Sequence, residues 1–236
     1  MNKQVIIVFG PPGAGKGSQS ELLSDKFGLY LFETSKILEE KFREAENLDP
    51  NSKERFVEVG GEKYDILNEK EIWKKGDLCS PPLVTYLVKQ KIEVLFKEGK
   101  SLVLSGSPRT LYEAEKLTPF LKELYGLENI KAIFLKIKPE STIFRNSHRR
   151  ICELMRHPII YNEETAKLTI CPLDGSKLIK RKGLDDPETI KNRLEQYRER
   201  TLPVIEFLKK QGIKVKEIDG EPSVAEVFED VVKAIK

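Results

Sequence analysis

Only three of the 236 residues are cysteine. That is an odd number and too few for a disulfide framework, so the chain reads as a protein of a reducing, cytoplasmic compartment. No apolar stretch approaches the ~20 residues needed to cross a bilayer. The first apolar run, Val5 to Phe9, meets a Gly/Pro turn too soon to be read as a secretory leader, and no membrane partner is expected. Net charge is equally thin: 41 Lys and Arg nearly cancel 38 Asp and Glu, leaving +3. A weakly basic balance suits a phosphate ligand. Without a basic patch interleaved with aromatics, nucleic acid is not expected as a partner. Internal repeats and low-complexity tracts are absent as well. The remainder, 39% hydrophobic and 33% charged, is the composition of one large soluble domain or of a core carrying small inserts.

Short β-rich runs alternate with helical patterns along the chain. Val5–Phe9, Ser101–Leu104, Ala132–Ile137 and Ile213–Ile218 read as buried strands, with Leu29–Phe32 as a further short one. Helical periodicity covers Ser18–Phe27, Leu83–Lys97, Leu111–Tyr125, Pro187–Gln211 and Ser223–Ile235. This alternation implies a parallel sheet with right-handed crossovers and helices on both faces. Two stretches interrupt it. Residues 35–79 are charged and helical in pattern, and residues 148–185 hold Cys152, Cys171 and a hairpin-like run. Neither could bury a core alone, so both read as inserts on a domain made of 1–34, 80–147 and 186–236.

Gly10-Pro11-Pro12-Gly13-Ala14-Gly15-Lys16-Gly17-Ser18 follows a strand and opens a helix, the context that gives a phosphate-binding loop its meaning. Glycines let backbone amides curl around an anion. The helix N-terminus adds oriented N–H groups and partial positive charge, and Lys16 adds a point charge for the outer phosphates. In the common form of this loop Ser or Thr directly follows the lysine; here Gly17 intervenes before Ser18.

That string resembles the nucleoside monophosphate kinases, adenylate kinases above all, and further landmarks follow in that family's order across nearly the whole chain. Thr34-Ser35-Lys36 stands where the family opens its monophosphate-binding insert, and Gly76-Asp77-Leu78-Cys79 where it closes it and lines the base pocket. Ser105-Gly106-Ser107-Pro108-Arg109-Thr110 is similar to the family's Asp-Gly-Phe-Pro-Arg-Thr. Arg145 and Arg149-Arg150 resemble the arginines that open the lid, and Arg193 the catalytic arginine after it. The resemblance implies a P-loop α/β/α core with a five-stranded parallel sheet, a small helical insert over 35–79 and a lid over 148–185. It implies a chain that is often monomeric and uses ATP and Mg²⁺ to phosphorylate a monophosphate, AMP in the first place. Gly13, Ala14, Gly15, Lys16, Gly17 and Ser18 would cradle ATP, with Arg145 at its base end and Arg149 over its phosphates. Thr34, Leu78, Cys79, Gly106, Arg109, Glu113 and Arg193 would receive the acceptor. Lys16, Arg109, Arg149 and Arg193 would carry catalysis. A phosphate oxygen is already a nucleophile, so no general base is needed; the work is bringing two polyanions together and steadying an in-line transition state.

Some positions depart from the family. Ser105 replaces an aspartate that orients magnesium water, and Glu39 replaces an arginine that clamps the acceptor phosphate, with Lys36, Lys41 or Arg43 as candidates to compensate. Together the two changes admit a catalytically impaired, nucleotide-binding relative as an alternative. Glu113 replaces a glutamine that reads adenine. An ionised carboxylate only accepts hydrogen bonds, which suits guanine, or adenine through N6 alone; a kinase for GMP or a pyrimidine monophosphate is the other alternative. Arg181 or Lys182 could supply a further lid cation, and Tyr161 could meet the ATP base or fill a hairpin core. The family's zinc-lid spacing falls on Cys152, Met155, Cys171 and Asp174. A thioether is a poor fourth donor for zinc, and His157 is off the family's spacing, so the expectation leans toward a lid without metal. Cys79 reads as a small packing residue.

Overall fold

The computed structural model describes residues 3–49, 52–180 and 185–236; Arg181 and Lys182 lie outside the described residues. From β1 (Val5–Phe9) the glycine loop leads into α1 (Lys16–Phe27), then β2 (Tyr30–Glu33) and α2 (Thr34–Glu46). A hairpin of β3 (Phe56–Val59) and β4 (Glu62–Asp65) precedes α3 (Ile66–Lys74) and α4 (Pro81–Lys97). Next come β5 (Leu102–Ser105), α5 (Leu111–Tyr125), β6 (Ile130–Lys136) and α6 (Pro139–Ser147). Three short strands follow, β7 (Arg150–Cys152), β8 (Pro158–Ile159) and β9 (Leu178–Ile179), and α7 (Pro187–Gln196), α8 (Leu202–Lys210), β10 (Lys214–Asp219) and α9 (Val224–Ile235) complete the described chain.

Five parallel strands form the central sheet in the order β10-β6-β1-β5-β2. Strand side chains alternate between faces, and the core divides accordingly. Val5, Ile7 and Phe9 join the cluster under α4, α5 and α8, while Ile6 and Val8 join the one under α1 and α9. A strand buried on both faces reads as an unbroken apolar run, which is why β1 is so legible in the sequence. The chain leaves β1 at the middle of the sheet, and ligands of open α/β sheets bind at the carboxyl ends of such strands. The glycine loop after β1, Gly106–Arg109 after β5 and Thr34 after β2 all issue from that edge.

Two regions differ from the sequence expectation. The 35–79 insert is not helical throughout: Phe56-Val57-Glu58-Val59 carries β-favouring Phe and Val residues, and Gly60 and Gly61 both take positive φ at the tip, so the hairpin forms between α2 and α3. The single helix expected over 187–211 is two helices joined by a π turn at Tyr197–Thr201. Pro203 lacks an N–H and crowds the carbonyl four residues before it, which widens the preceding turn. No described helix is long and apolar enough to cross a membrane.

Candidate active site

The glycine loop is wrapped tightly around its own backbone. Gly13 takes φ +84°, and a Cβ there would lie 2.7 Å from Nδ2 of Asn146 on α6; only glycine admits both the turn and the close approach. Gly15 caps α1 in the left-handed region, and Ala14 is buried while Gly17 and Ser18 open the first helical turn at the surface. Lys16 folds back over the loop, donating from Nζ to the Gly10 and Pro11 carbonyls at 2.9 Å each. That places its charge on the carbonyls of the loop itself.

A cleft opens in front of the loop. Lys16, Arg109 and Arg193 all line it, with Gly106 and Leu78. Arg109 is anchored through its backbone: its N–H donates to Oε2 of Glu113 at 3.1 Å, and its carbonyl accepts from the Thr201 hydroxyl at 2.9 Å. Burial lowers the guanidinium pKa while Glu113 opposes the shift. Arg193 stands on α7, 4.0 Å from the buried Asp185, and its stem presses on Gly76. A Cβ at Gly76 (φ +85°) would come within 3.2 Å of Arg193 Cγ and 2.8 Å of Thr189 Cγ2. Asn192 fastens the same joint, donating to the Lys75 carbonyl at 2.9 Å and Asp77 Oδ1 at 3.0 Å.

Beside the cleft lies a smaller cavity lined by Thr34, Leu78, Cys79, Gly106, Arg109 and Glu113, among others. Six of the residues expected to receive the acceptor therefore share one space. Thr34 is 4% exposed, and its Oγ1 has no hydrogen-bond partner among the described residues. Burying a hydroxyl unpaired costs about 1–3 kcal/mol. Cys79 is buried, with a thiol pushed up to about 12 by burial, as a packing residue requires. Glu113 accepts from the Ser107 hydroxyl at 2.9 Å, the Arg109 N–H at 3.1 Å and the Thr110 hydroxyl at 3.1 Å. Burial pushes its pKa up and these donors pull against it. Three of its roughly four lone pairs hold the Ser107–Thr110 turn, a use its sequence position does not reveal.

Arg145 and Arg149 do not line this cleft. Arg145, in the last turn of α6, donates to the Gly220 and Glu221 carbonyls at 2.9 and 3.0 Å, which holds it at the far side of the glycine loop. Arg149 is half-buried at the junction of α6 and β7. Arg150 is spent within the lid, on the carbonyls of Leu168 and Thr165. Tyr161 joins a ring cluster at the lid base, 4.4 Å from His148 and 5.6 Å from Phe144. Gln196 and Tyr197, which the sequence reading missed, line the cleft beside the π turn; Pro203 was the available signal. Trp73 was missed as well, although it stands three residues before Gly76.

The segment of β7, β8 and β9 gathers Cys152, His157, Cys171 and Asp174, with one ligand atom of each within 4.8 Å of the others. Arg156 makes this possible: at φ 59° it is the one described non-glycine residue with positive φ. The turn it forms swings His157 inward and leaves Met155 62% exposed. Spacing along the chain pointed to Met155; the left-handed turn substitutes His157. Cys152 Sγ lies 3.0 Å from Asp174 Oδ2 and accepts from the His157 N–H at 3.0 Å. Ser176 holds the other carboxylate oxygen through its N–H and hydroxyl at 2.9 and 2.8 Å.

A family model described as adenylate kinase matches residues 8–213. The adenylate kinase of Methanosarcina barkeri is 31% identical over 98% of this chain and 98% of its own length. That of Caldicellulosiruptor saccharolyticus is 33% identical over 98% of each, and that of Chlamydia pneumoniae 33% identical over 98% of this chain and 97% of its own. The chain belongs to the adenylate kinase family. It is a nucleoside monophosphate phosphotransferase working on nucleotides, and adenylate kinases in general use ATP and Mg²⁺. Against this adenylate kinase background Glu39 is the conspicuous substitution, because it lines the cleft itself. The cations considered as its replacement are engaged elsewhere: Lys36 pairs with Glu33 and Lys41 with Glu44, while Arg43 is exposed.

Proposed function

We propose that this chain catalyses ATP + AMP = 2 ADP, with ATP phosphates in the glycine loop and AMP in the Thr34–Glu113 cavity. The observation that carries the reading is the convergence of Lys16, Arg109 and Arg193 on one cleft from three distant parts of the chain. Lys16 follows the β- and γ-phosphates, Arg109 holds the acceptor phosphate, and Arg193 bridges the two. Arg149 and Arg145 act from the ATP side as the 148–185 lid closes and excludes water. The 35–79 insert supplies the acceptor wall. Glu113 gives guanine little special support, since three of its roughly four acceptor positions already take donors from the Ser107–Thr110 turn. With ATP as donor, turnover on AMP is expected to exceed that on GMP, CMP and UMP at least tenfold. GMP used tenfold faster than AMP would overturn the acceptor assignment. Binding of nucleotides with no diphosphate formed from any of the four would favour the impaired relative instead.

The lid, in the same reading, holds a structural zinc ion on Cys152, His157, Cys171 and Asp174. Two thiolates, an imidazole and a carboxylate form a closed, four-ligand set of the kind structural zinc takes, whose ligand atoms stand about 3.3–3.8 Å apart around the metal. The Asp174 carboxylate is already oriented by Ser176, as ligands in such sites usually are. Metal analysis of purified protein is expected to give about one zinc per chain. His157→Ala should weaken binding more than about 10²-fold, whereas Met155→Ala should leave it unchanged. Protein with reduced thiols that takes up no zinc contradicts the assignment.

A further inference from the structure

Trp73 belongs to none of the motifs that define the site, yet it alone supplies an aromatic wall to both the cleft and the acceptor cavity. It is the chain's single tryptophan. Ile66, Glu69 and Trp73 recur at helical spacing along one face of α3. Ile66 is buried, and Glu69 is locked onto Ser80, accepting from its N–H at 2.8 Å and its hydroxyl at 2.6 Å. Behind the indole lies Phe42, 2% exposed, with ring centroids 5.9 Å apart and planes tilted by 57°. The ring is therefore held from one side by the insert's own core, and only half-buried. Its remaining surface faces the cleft and the acceptor cavity. The Thr34 hydroxyl, without a hydrogen-bond partner among the described residues, lines the same cavity, so an apolar ring and an unused polar atom share one small space. A flat heteroaromatic ring with a polar edge matches that pair.

We propose that Trp73 is the stacking surface for the acceptor base and sets the affinity for the monophosphate. This deepens the acceptor-site reading given above and rests on it. Base–aromatic stacking is worth roughly 1–3 kcal/mol and tolerates any base, so Trp73 fixes how tightly the acceptor is held while hydrogen bonds at the edge choose which base enters. Because α3 runs directly into Gly76, where Arg193 packs, a base seated on Trp73 also draws the insert against the residue that bridges the phosphates.

The test uses the intrinsic fluorescence of the wild-type protein with AMP and with ribose 5-phosphate, which offers the phosphate and sugar without a base. AMP is expected to quench Trp73 emission, and ribose 5-phosphate to leave it unchanged while still competing with AMP in the kinase assay. In parallel, Trp73→Leu should raise KM for AMP about tenfold with KM for ATP essentially unmoved, and Trp73→Phe should recover most of the loss. Equal emission changes with both ligands, or parallel rises in both KM values, would overturn the stacking role and leave the phosphotransfer reading intact. A wild-type protein that turns over no monophosphate would sink that reading, and the stacking role with it. Should the leucine variant fail to fold, the wild-type comparison decides alone.

Discussion

Lys16→Met is expected to lower kcat about 10²–10³-fold, the cost of removing one preorganised positive group from a developing anionic centre. The loop should survive the change, because its shape depends on Gly13 and Gly15 and on the Ala14 N–H donating to the Pro11 carbonyl at 3.1 Å. Lys16 bridges the Gly10 and Pro11 carbonyls, bonds that a phosphate in the loop would replace. The prediction is therefore a large kinetic effect with a melting temperature close to that of the parent, measured by coupled assay and calorimetry on the same preparations. Full transferase output from the methionine protein would remove the lysine from the mechanism.

Arg193→Ala should be comparably severe, reducing kcat about 10³-fold. The guanidinium sits where the insert, α7 and the cleft meet, with Gly76 under its stem and the buried Asp185 near its head. Removing it takes away the cleft guanidinium that the proposed mechanism sets against the phosphates, and leaves Asp185 without that cation, so some loss of stability accompanies the kinetic effect. Arg193→Lys separates the two. It keeps a positive charge near Asp185 and should recover stability, but a point charge cannot reproduce bidentate geometry, so kcat should stay about 10²-fold down. Lysine restoring both rate and stability would show that Arg193 acts only as a counter-ion for Asp185.

The parts that were legible in the sequence are those governed by short-range chemistry. A strand buried on both faces, a glycine loop and a following lysine are written consecutively, and Val5–Ser18 folded as read. Leu111–Tyr125 was placed to the residue, since Thr110 caps its N-terminus and Gly126 follows its C-terminus. What could not be read depends on how distant segments turn. The π turn at Tyr197–Thr201 needed Pro203 to be weighed as a disturbance of the preceding turn. The hairpin at Phe56–Asp65 was hidden in a charged segment. Over 148–180 the family spacing fell on Met155, a poor donor, and the reading leaned toward no metal; Met155 is exposed, Arg156 adopts a left-handed conformation, and His157 stands with Cys152, Cys171 and Asp174. Glu113 occupies the expected position, but its carboxylate holds a turn, which only the coordinates of its three donors reveal.

The account stands on one claim, that two nucleotides share the Lys16–Arg109–Arg193 cleft end to end. Titration calorimetry and inhibition kinetics with two adenosines joined through five phosphates test it most directly. The expected result is one analogue per chain, binding more tightly than ATP or AMP alone and competing with both. An analogue that competes with ATP but leaves AMP kinetics untouched would contradict it.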